Sequence, residues 1–520
     1  RIVIISAGAA GPSAAYWLGQ ASQRANVQVD MDVFEAEAVV RARFSLRVLT
    51  AWPYGYFPAF AAVELGADAF LDTDLNLNRA VKEFNLTTVN FRADDTSTGI
   101  WDGRSFLLQT RQGTLADSWR NGLKRAGAMG FCLLRPKTAG IDDAIWRRLY
   151  SASSSPWANM ADLVSAMNAS QLLDTTALGY LDSAGVDPRF SREIAESSTR
   201  ELYGKNIDDI HAFGALHSMR PMRRRRVDGG NARIFESFLL HSPAAIHLKS
   251  RVTALEKVVS TSGETVWGLR TTRTDYRDDN PTAEPMYRTR NGYAHVILAA
   301  PHSTASIPLP ASYNLPDIEF ARLHVTLLTT TAPFPNPEYF SAASGTKIPQ
   351  TIFTTRGYKR GEIDPGVYSL SYVSQVVPTW EPVEGMPIEW PEEETPIEWV
   401  VRIVPKDETS DSWLGDVFGA DGVRWWGAYP EMAPHPPLAP VRLDDGLWYT
   451  GSLEPMFSSM EGQTTAARNV VELLFEEEFG KDLCGAAVDK TSWGSGRRYH
   501  GLPGWDCWPR ITCIVQTACG

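Results

Sequence analysis

Long apolar runs are missing from this chain. None reaches the roughly 18 residues a membrane-spanning helix needs, so no transmembrane segment is expected. Positive charge is also short: 50 Lys and Arg stand against 61 Asp and Glu, a net charge of -11. Binding a phosphate backbone needs a basic face, which removes nucleic acid as a partner. The nine histidines form no His-Glu-x-x-His pair and no dense cluster with cysteine, so no metal site is expected. There is no Gly-x-Ser-x-Gly nucleophile elbow and no Walker lysine behind a glycine loop.

Cysteine is scarce but unevenly placed. Of five, Cys132 stands alone while Cys484, Cys507, Cys513 and Cys519 crowd the last stretch of the chain. Four in one short tail predict two disulfides in an oxidising compartment, with the pairing open. A zinc site is the competing reading, but the Cys-x5-Cys-x5-Cys spacing lacks the usual knuckle. Two sequons, Asn85-Leu86-Thr87 and Asn168-Ala169-Ser170, permit N-glycosylation. The chain opens on its first strand, which reads as a processed N-terminus after loss of a signal peptide. Together these predict a secreted or vacuolar/lysosomal protein.

Aromatic residues are plentiful: 17 Trp, 17 Tyr and 21 Phe in 520 residues. They read first as a large core, and second as the lining of a pigment or lipid pocket. The length predicts two or three domains.

The most informative stretch is the first. Arg1 to Ile5 is a β-branched run of the kind buried in a parallel sheet. A small-residue turn through Ser6, Gly8 and Gly11 follows, then a helix from Pro12 to Gln20 and a second strand from Val27 to Phe34 that ends in Glu35. This is the layout of a dinucleotide-binding βαβ unit. Its helix N-terminus would face a pyrophosphate, and Glu35 a ribose hydroxyl. The fold class expected is α/β, a Rossmann-like FAD/NAD(P)-binding fold with a second domain of antiparallel sheet and helices.

Residues from about 115 to 215 read as mostly helical, the usual cover of a substrate pocket. Met222 to Asn231 contains four consecutive arginines, read here as a solvated loop. Tyr293 to Ala300 and Leu447 to Thr450 read as returning strands, and 320 to 400 as alternating β structure. Glu381 to Glu398 reads as an exposed acidic loop. The discontinuous nucleotide-binding domain is therefore expected at 1–110, 215–310 and 440–480. The substrate domain is expected at 111–214 and 311–439, and a cysteine-bearing tail at 481–520.

Several segments in this order resemble the prenylcysteine oxidase (prenylcysteine lyase) family of FAD-dependent thioether oxidases. They are Arg1 to Gly11, Val33-Phe34-Glu35, Glu64-Leu65-Gly66-Ala67, Tyr203-Gly204, Val227-Asp228-Gly229-Gly230-Asn231, Val296 to Pro301, and Glu454 through Met460-Glu461 to Val470. The resemblance implies a secreted or lysosomal flavoprotein. Such enzymes oxidise the carbon beside a prenyl thioether sulfur, passing a hydride to FAD; water then releases cysteine and a prenyl aldehyde, and oxygen leaves as peroxide. It implies FAD contacts from Gly8, Gly11, Glu35, Gly66, Val252, Met460 and Glu461, with Gly229, Gly230 and Asn231 beside the substrate pocket. It assigns no catalytic acid or base.

Two departures stand out. Ser6 replaces the first glycine of the fingerprint, and Arg41-Ala42-Arg43 stands where the family has Gly-Gly-Arg at a second pyrophosphate contact. Two readings follow. In the first, a non-catalytic relative carries a conjugated, non-flavin chromophore or ligand in the inherited cleft, with Arg41 and Arg43 at its margin. In the second, Arg41 compensates for the lost glycines, and the chain is an active FAD oxidase of a thioether or similar apolar substrate.

Overall fold

The computed structural model describes residues 1–40, 46–47, 63–64, 66–67, 69–90, 97–110, 145–151, 155–220, 224–275, 287–316, 318, 320–358, 364–376, 397–418, 422–430, 432–488, 502 and 504–507. Strand β1 (Ile2–Ile5) lies between β2 (Met31–Phe34) and His295–Leu298, parallel to both. Ala245–His247 extends the sheet beyond β2, while Leu447–Tyr449 and Arg442–Asp444 extend it on the other side, giving six strands. All four residues of β1 are buried, because both faces of this sheet are covered.

The alternation of β1 shows what covers each face. Ile2 and Ile4 share a core with Trp17, Leu18 and Ala21 of helix α1 (Ala10–Ala25), and with Val470 and Leu474 of the C-terminal helix Met460–Phe479. Val3 and Ile5 pack instead with Val252, Trp267, Leu269 and Tyr293. These come from a three-stranded antiparallel sheet, Ser250–Val259, Thr265–Arg273 and Tyr287–Tyr293. A period of two along one strand thus separates two cores.

Helix α1 is longer at both ends than the sequence reading, and it stops where Asn26 turns left-handed at φ 52°. Strand β2 is correspondingly short, beginning at Met31 rather than Val27, because the Val27 N–H donates back to the helix at Ser22 O.

A second sheet of seven strands runs in the order Gly422–Pro430, Phe320–Thr330, Glu398–Pro405, Val367–Val376, Thr351–Thr354, Thr98–Trp101, Phe106–Thr110. Of its first five strands, Phe320–Thr330, Val367–Val376 and Thr351–Thr354 fall in the alternating stretch 320–400 seen in sequence, while Glu398–Pro405 starts at the end of that stretch and Gly422–Pro430 lies beyond it. Its last two are a correction, since residues 98–110 were grouped with the nucleotide-binding part. Thr98–Trp101 joins by parallel pairing to Thr351–Thr354, a contact between segments some 250 residues apart that no local pattern announces.

The helical block is present among the described residues as Met160–Met167, Ser170–Asp174, Ala177–Ser183, Glu196–Tyr203 and Ala212–Ser218. The helical run between Ser170 and Ser183 is broken at Thr175-Thr176, where the Thr176 hydroxyl accepts the Gly179 N–H. The start of the helical stretch, up to residue 144, and most of the acidic loop Glu381 to Glu398 lie outside the described residues.

The arginine run is a second correction. Arg224–Val227 is the middle strand of a three-stranded sheet, not a loop. Arg224 pairs with Glu201, and Arg225 with Asp72 at 2.9 Å. Partners distant in sequence turn a charge run into a strand.

The tail folds back on α1. The structure joins Cys484 to Cys507 by a disulfide, while Cys132, Cys513 and Cys519 lie outside the described residues. Within the clamp the Arg24 guanidinium donates to Gly504 O at 2.7 Å and Leu483 O at 3.2 Å. Trp505 packs 4.7 Å from Trp17 and 5.5 Å from Tyr16. The bond closes a sequence separation of 23 residues. Replacing both cysteines by alanine is therefore expected to cost about 3 kcal/mol through the freed unfolded chain. A denaturation midpoint that does not move would assign the clamp to Trp505 and Arg24 alone.

Candidate functional site

Ligands of open α/β sheets sit outside the carboxyl ends of the strands. At that end, Ile5 leads into the turn Ser6–Ala9 and then α1. Ser6 adopts φ 91°, a conformation that favours glycine, so serine has taken over the backbone role of the first fingerprint glycine at a cost of about 1 kcal/mol. Gly11 is required for a different reason: a Cβ there would lie 1.9 Å from Ser6 O. Only glycine lets the helix pass that close beneath the turn.

Helix α1 begins with no side-chain cap and no acid in its first turn. Its leading N–H groups and dipole therefore face the turn without an anionic side chain of their own, the condition for holding a phosphate. The C-terminal helix starts beside it. Ser13 Oγ and Thr464 Oγ1, each in the first turn or just beyond it, lie 3.3 Å apart. Two helix N-termini thus converge at one end of the sheet.

Glu35 closes the other side. It is buried at the end of β2, and its carboxylate accepts the Ala7 N–H at 2.6 Å and the Glu37 N–H at 2.9 Å. Ser6 Oγ lies 3.5 Å from the same carboxylate and accepts the Gly8 N–H at 3.3 Å. A carboxylate offers about four lone-pair sites, so two backbone donors leave room for ribose hydroxyls. The Ser250 N–H donates to Glu35 O at 2.7 Å, which brings the strand bearing buried Val252 to this corner. Ser6, Gly8, Gly11, Glu35, Val252 and Met460 are therefore grouped around one end of the sheet. Arg41 and Arg43 lie outside the described residues.

Other candidates have structural tasks. The Asn231 carboxamide accepts the Val227 N–H and donates to Ala67 O, both at 2.9 Å, tying the Gly66-Ala67 segment to the turn. Gly229 and Gly230 make that turn with φ of 78° and 105°.

Glu461 also has a structural task. Its carboxylate accepts the backbone N–H groups of Asn76 at 2.9 Å and Leu77 at 3.0 Å, and the Asn76 side chain at 2.7 Å. It thereby caps helix α2 (Leu75–Glu83), which has no side-chain cap of its own. Tyr150 OH donates to it at 2.8 Å, and Asp74 nearby is paired with Arg220 at 2.9 Å. This buried network was not legible in sequence, since its members come from four separate segments. Close by, Phe457 packs in an aromatic cluster with Trp146, Phe213 and His217.

A surface hollow of about 880 Å³, lined by Arg1, Gln23, Asn26, Asp30 and Pro243 among others, opens at the opposite, amino end of the strands and has no part in this arrangement. Among the described residues, no group of His, Cys, Asp and Glu is placed to hold a metal. No helix there is long and apolar enough to cross a membrane.

Burial, and then the charge of Asp74, pushes Glu461 up to about 7. Its folded-state value is raised, so the native state keeps a proton that the unfolded chain releases above the ordinary carboxylate range. Stability is therefore expected to fall as pH rises from about 4.5 to about 7. Glu461→Gln should flatten that slope in pH-dependent urea midpoints, and an unchanged slope would place the titration elsewhere. Gly11→Ala should destabilise the protein by about 2–3 kcal/mol in the same assay.

Comparison with known proteins agrees with this geometry. The chain is 25% identical to prenylcysteine oxidase 1 of Pongo abelii over 498 residues, covering 91% of this chain and 88% of that protein. It is equally similar to prenylcysteine oxidase 1 of Homo sapiens over 497 residues, with the same coverage. Among solved structures, a cyclohexylamine oxidase from Brevibacterium oxydans aligns with TM-score 0.53 at 14% identity, over 92% of this chain and 98% of that one. A putrescine oxidase variant with redesigned cofactor binding aligns with TM-score 0.52 at 12% identity, over 92% and 99%. These two likenesses establish the two-domain, amine-oxidase-like fold. Residues 139–483 match the family described as prenylcysteine lyase, and the chain belongs to that family.

Proposed function

We propose that the chain is an FAD-dependent oxidase acting on a prenyl thioether or a similar apolar substrate. The observation that carries this reading is the uncapped, acid-free start of α1 beneath a turn in which Ser6 reproduces the glycine conformation. The residues that would hold the dinucleotide are those already grouped there. The N–H groups at the start of α1 and Gly8 would meet the pyrophosphate, Glu35 the adenosine ribose, and the strand of Val252 the adenine side. FAD, when bound, supplies a two-electron acceptor for oxidation of the carbon beside sulfur. The chain's part is to bind, orient and exclude water.

A second reading is favoured by one feature. The Ser6 hydroxyl stands against the Glu35 carboxylate and takes the Gly8 N–H, so two groups that would face a dinucleotide are partly engaged by the chain itself. In that reading the cleft carries a conjugated, non-flavin ligand and performs no oxidation.

Ser6→Gly distinguishes the two. It removes the left-handed strain and frees the Gly8 N–H, so it should raise the denaturation midpoint by about 1 kcal/mol and tighten FAD in a titration. Supplied with FAD and an S-prenyl cysteine, the protein should release aldehyde and peroxide in equal amounts. FAD affinity unchanged by Ser6→Gly, together with no peroxide from either form, would favour the ligand carrier.

A further inference from the structure

The cleft uses neither of the two sequons, and the fold treats them alike. Asn85 follows helix α2 and Asn168 is the C-cap of Met160–Met167. Both take the left-handed conformation, at φ 50° and 53°, and both are exposed. Asparagine is a favoured non-glycine residue in that conformation, so the turn alone explains the asparagines. It does not explain the hydroxyl residue two positions on. Thr87 and Ser170 are also exposed, and no hydrogen bond among the described residues uses either hydroxyl or either asparagine carboxamide. At each site both the acceptor amide and the hydroxyl that completes the sequon stand in solvent without a structural task.

The disulfide is an independent observation in the same direction. The Cys484–Cys507 bond persists only in an oxidising compartment, and the secretory lumen is the compartment where N-glycans are attached. We infer that Asn85 and Asn168 are N-glycosylation sites. In the transfer, a lipid-diphosphate-linked oligosaccharide is the donor. The bond between its anomeric carbon and the diphosphate oxygen breaks, a bond from that carbon to the asparagine Nδ2 forms, the amide nitrogen loses one proton, and the lipid diphosphate leaves. A glycan at either exposed C-cap turn extends into water and displaces no packed side chain.

The test is made on the full chain secreted from a eukaryotic host. The glycan is removed enzymatically in heavy-oxygen water, and mass spectrometry then reads conversion of asparagine to labelled aspartate at 85 and at 168. Conversion at both positions is expected. Thr87→Ala and Ser170→Ala remove each sequon while leaving the asparagine in its turn, so each should lose one glycan's mass with an unchanged denaturation midpoint. Absence of conversion at a position, in protein recovered from the medium with its disulfide formed, overturns the assignment of that site. Mass unchanged in Thr87→Ala or Ser170→Ala overturns it equally.

Discussion

The close passage of α1 beneath the turn after β1 is the contact on which the rest depends. Gly11 lies where any side chain would meet the carbonyl of Ser6. That approach sets the distance between the helix and the sheet, and it aims the helix N-terminus at the carboxyl ends of the strands. The pairing of β1 with β2 puts Glu35 at the same end. The C-terminal helix, packed along α1, adds its own start there. One small residue thus allows three elements to converge on a site suited to a phosphate-bearing ligand.

Ser6 shows how a departure from a fingerprint can leave the geometry intact. The turn needs a left-handed residue, and serine supplies it under strain of about 1 kcal/mol rather than freely. Its hydroxyl then bonds to the Gly8 N–H and stands beside Glu35. The departure is therefore chemical more than conformational: it changes what lines the cradle, not the shape of the cradle. Sequence alone made Ser6 and Arg41-Ala42-Arg43 look like one pattern of loss. In the structure Ser6 holds the required backbone.

Legibility followed the range of the interactions. The βαβ unit, the returning strands and the alternating strands of the larger sheet were readable because strand and helix periods are local. The convergence of Gly8, Gly11 and Glu35 was readable for the same reason. The parallel pairing of Thr98–Trp101 with Thr351–Thr354 was not, nor was the strand made from Arg224–Val227, whose charges are met by Asp72 and Glu201. The family resemblance implies an FAD contact from Glu461; its carboxylate caps α2, a role visible only when four segments are brought together. Of the tail cysteines, only the pairing of Cys484 with Cys507 is defined, and Trp505 explains why that loop lies on α1.

The central claim is that the cradle at the start of α1 holds a flavin dinucleotide. The most direct measurement is the absorption spectrum of the intact protein, with identification of whatever is released on denaturation. Flavin bands in the blue and near ultraviolet, with FAD released in close to equimolar amount, are the predicted result. A visible band of another shape, with a conjugated non-flavin compound released and no FAD, would contradict it.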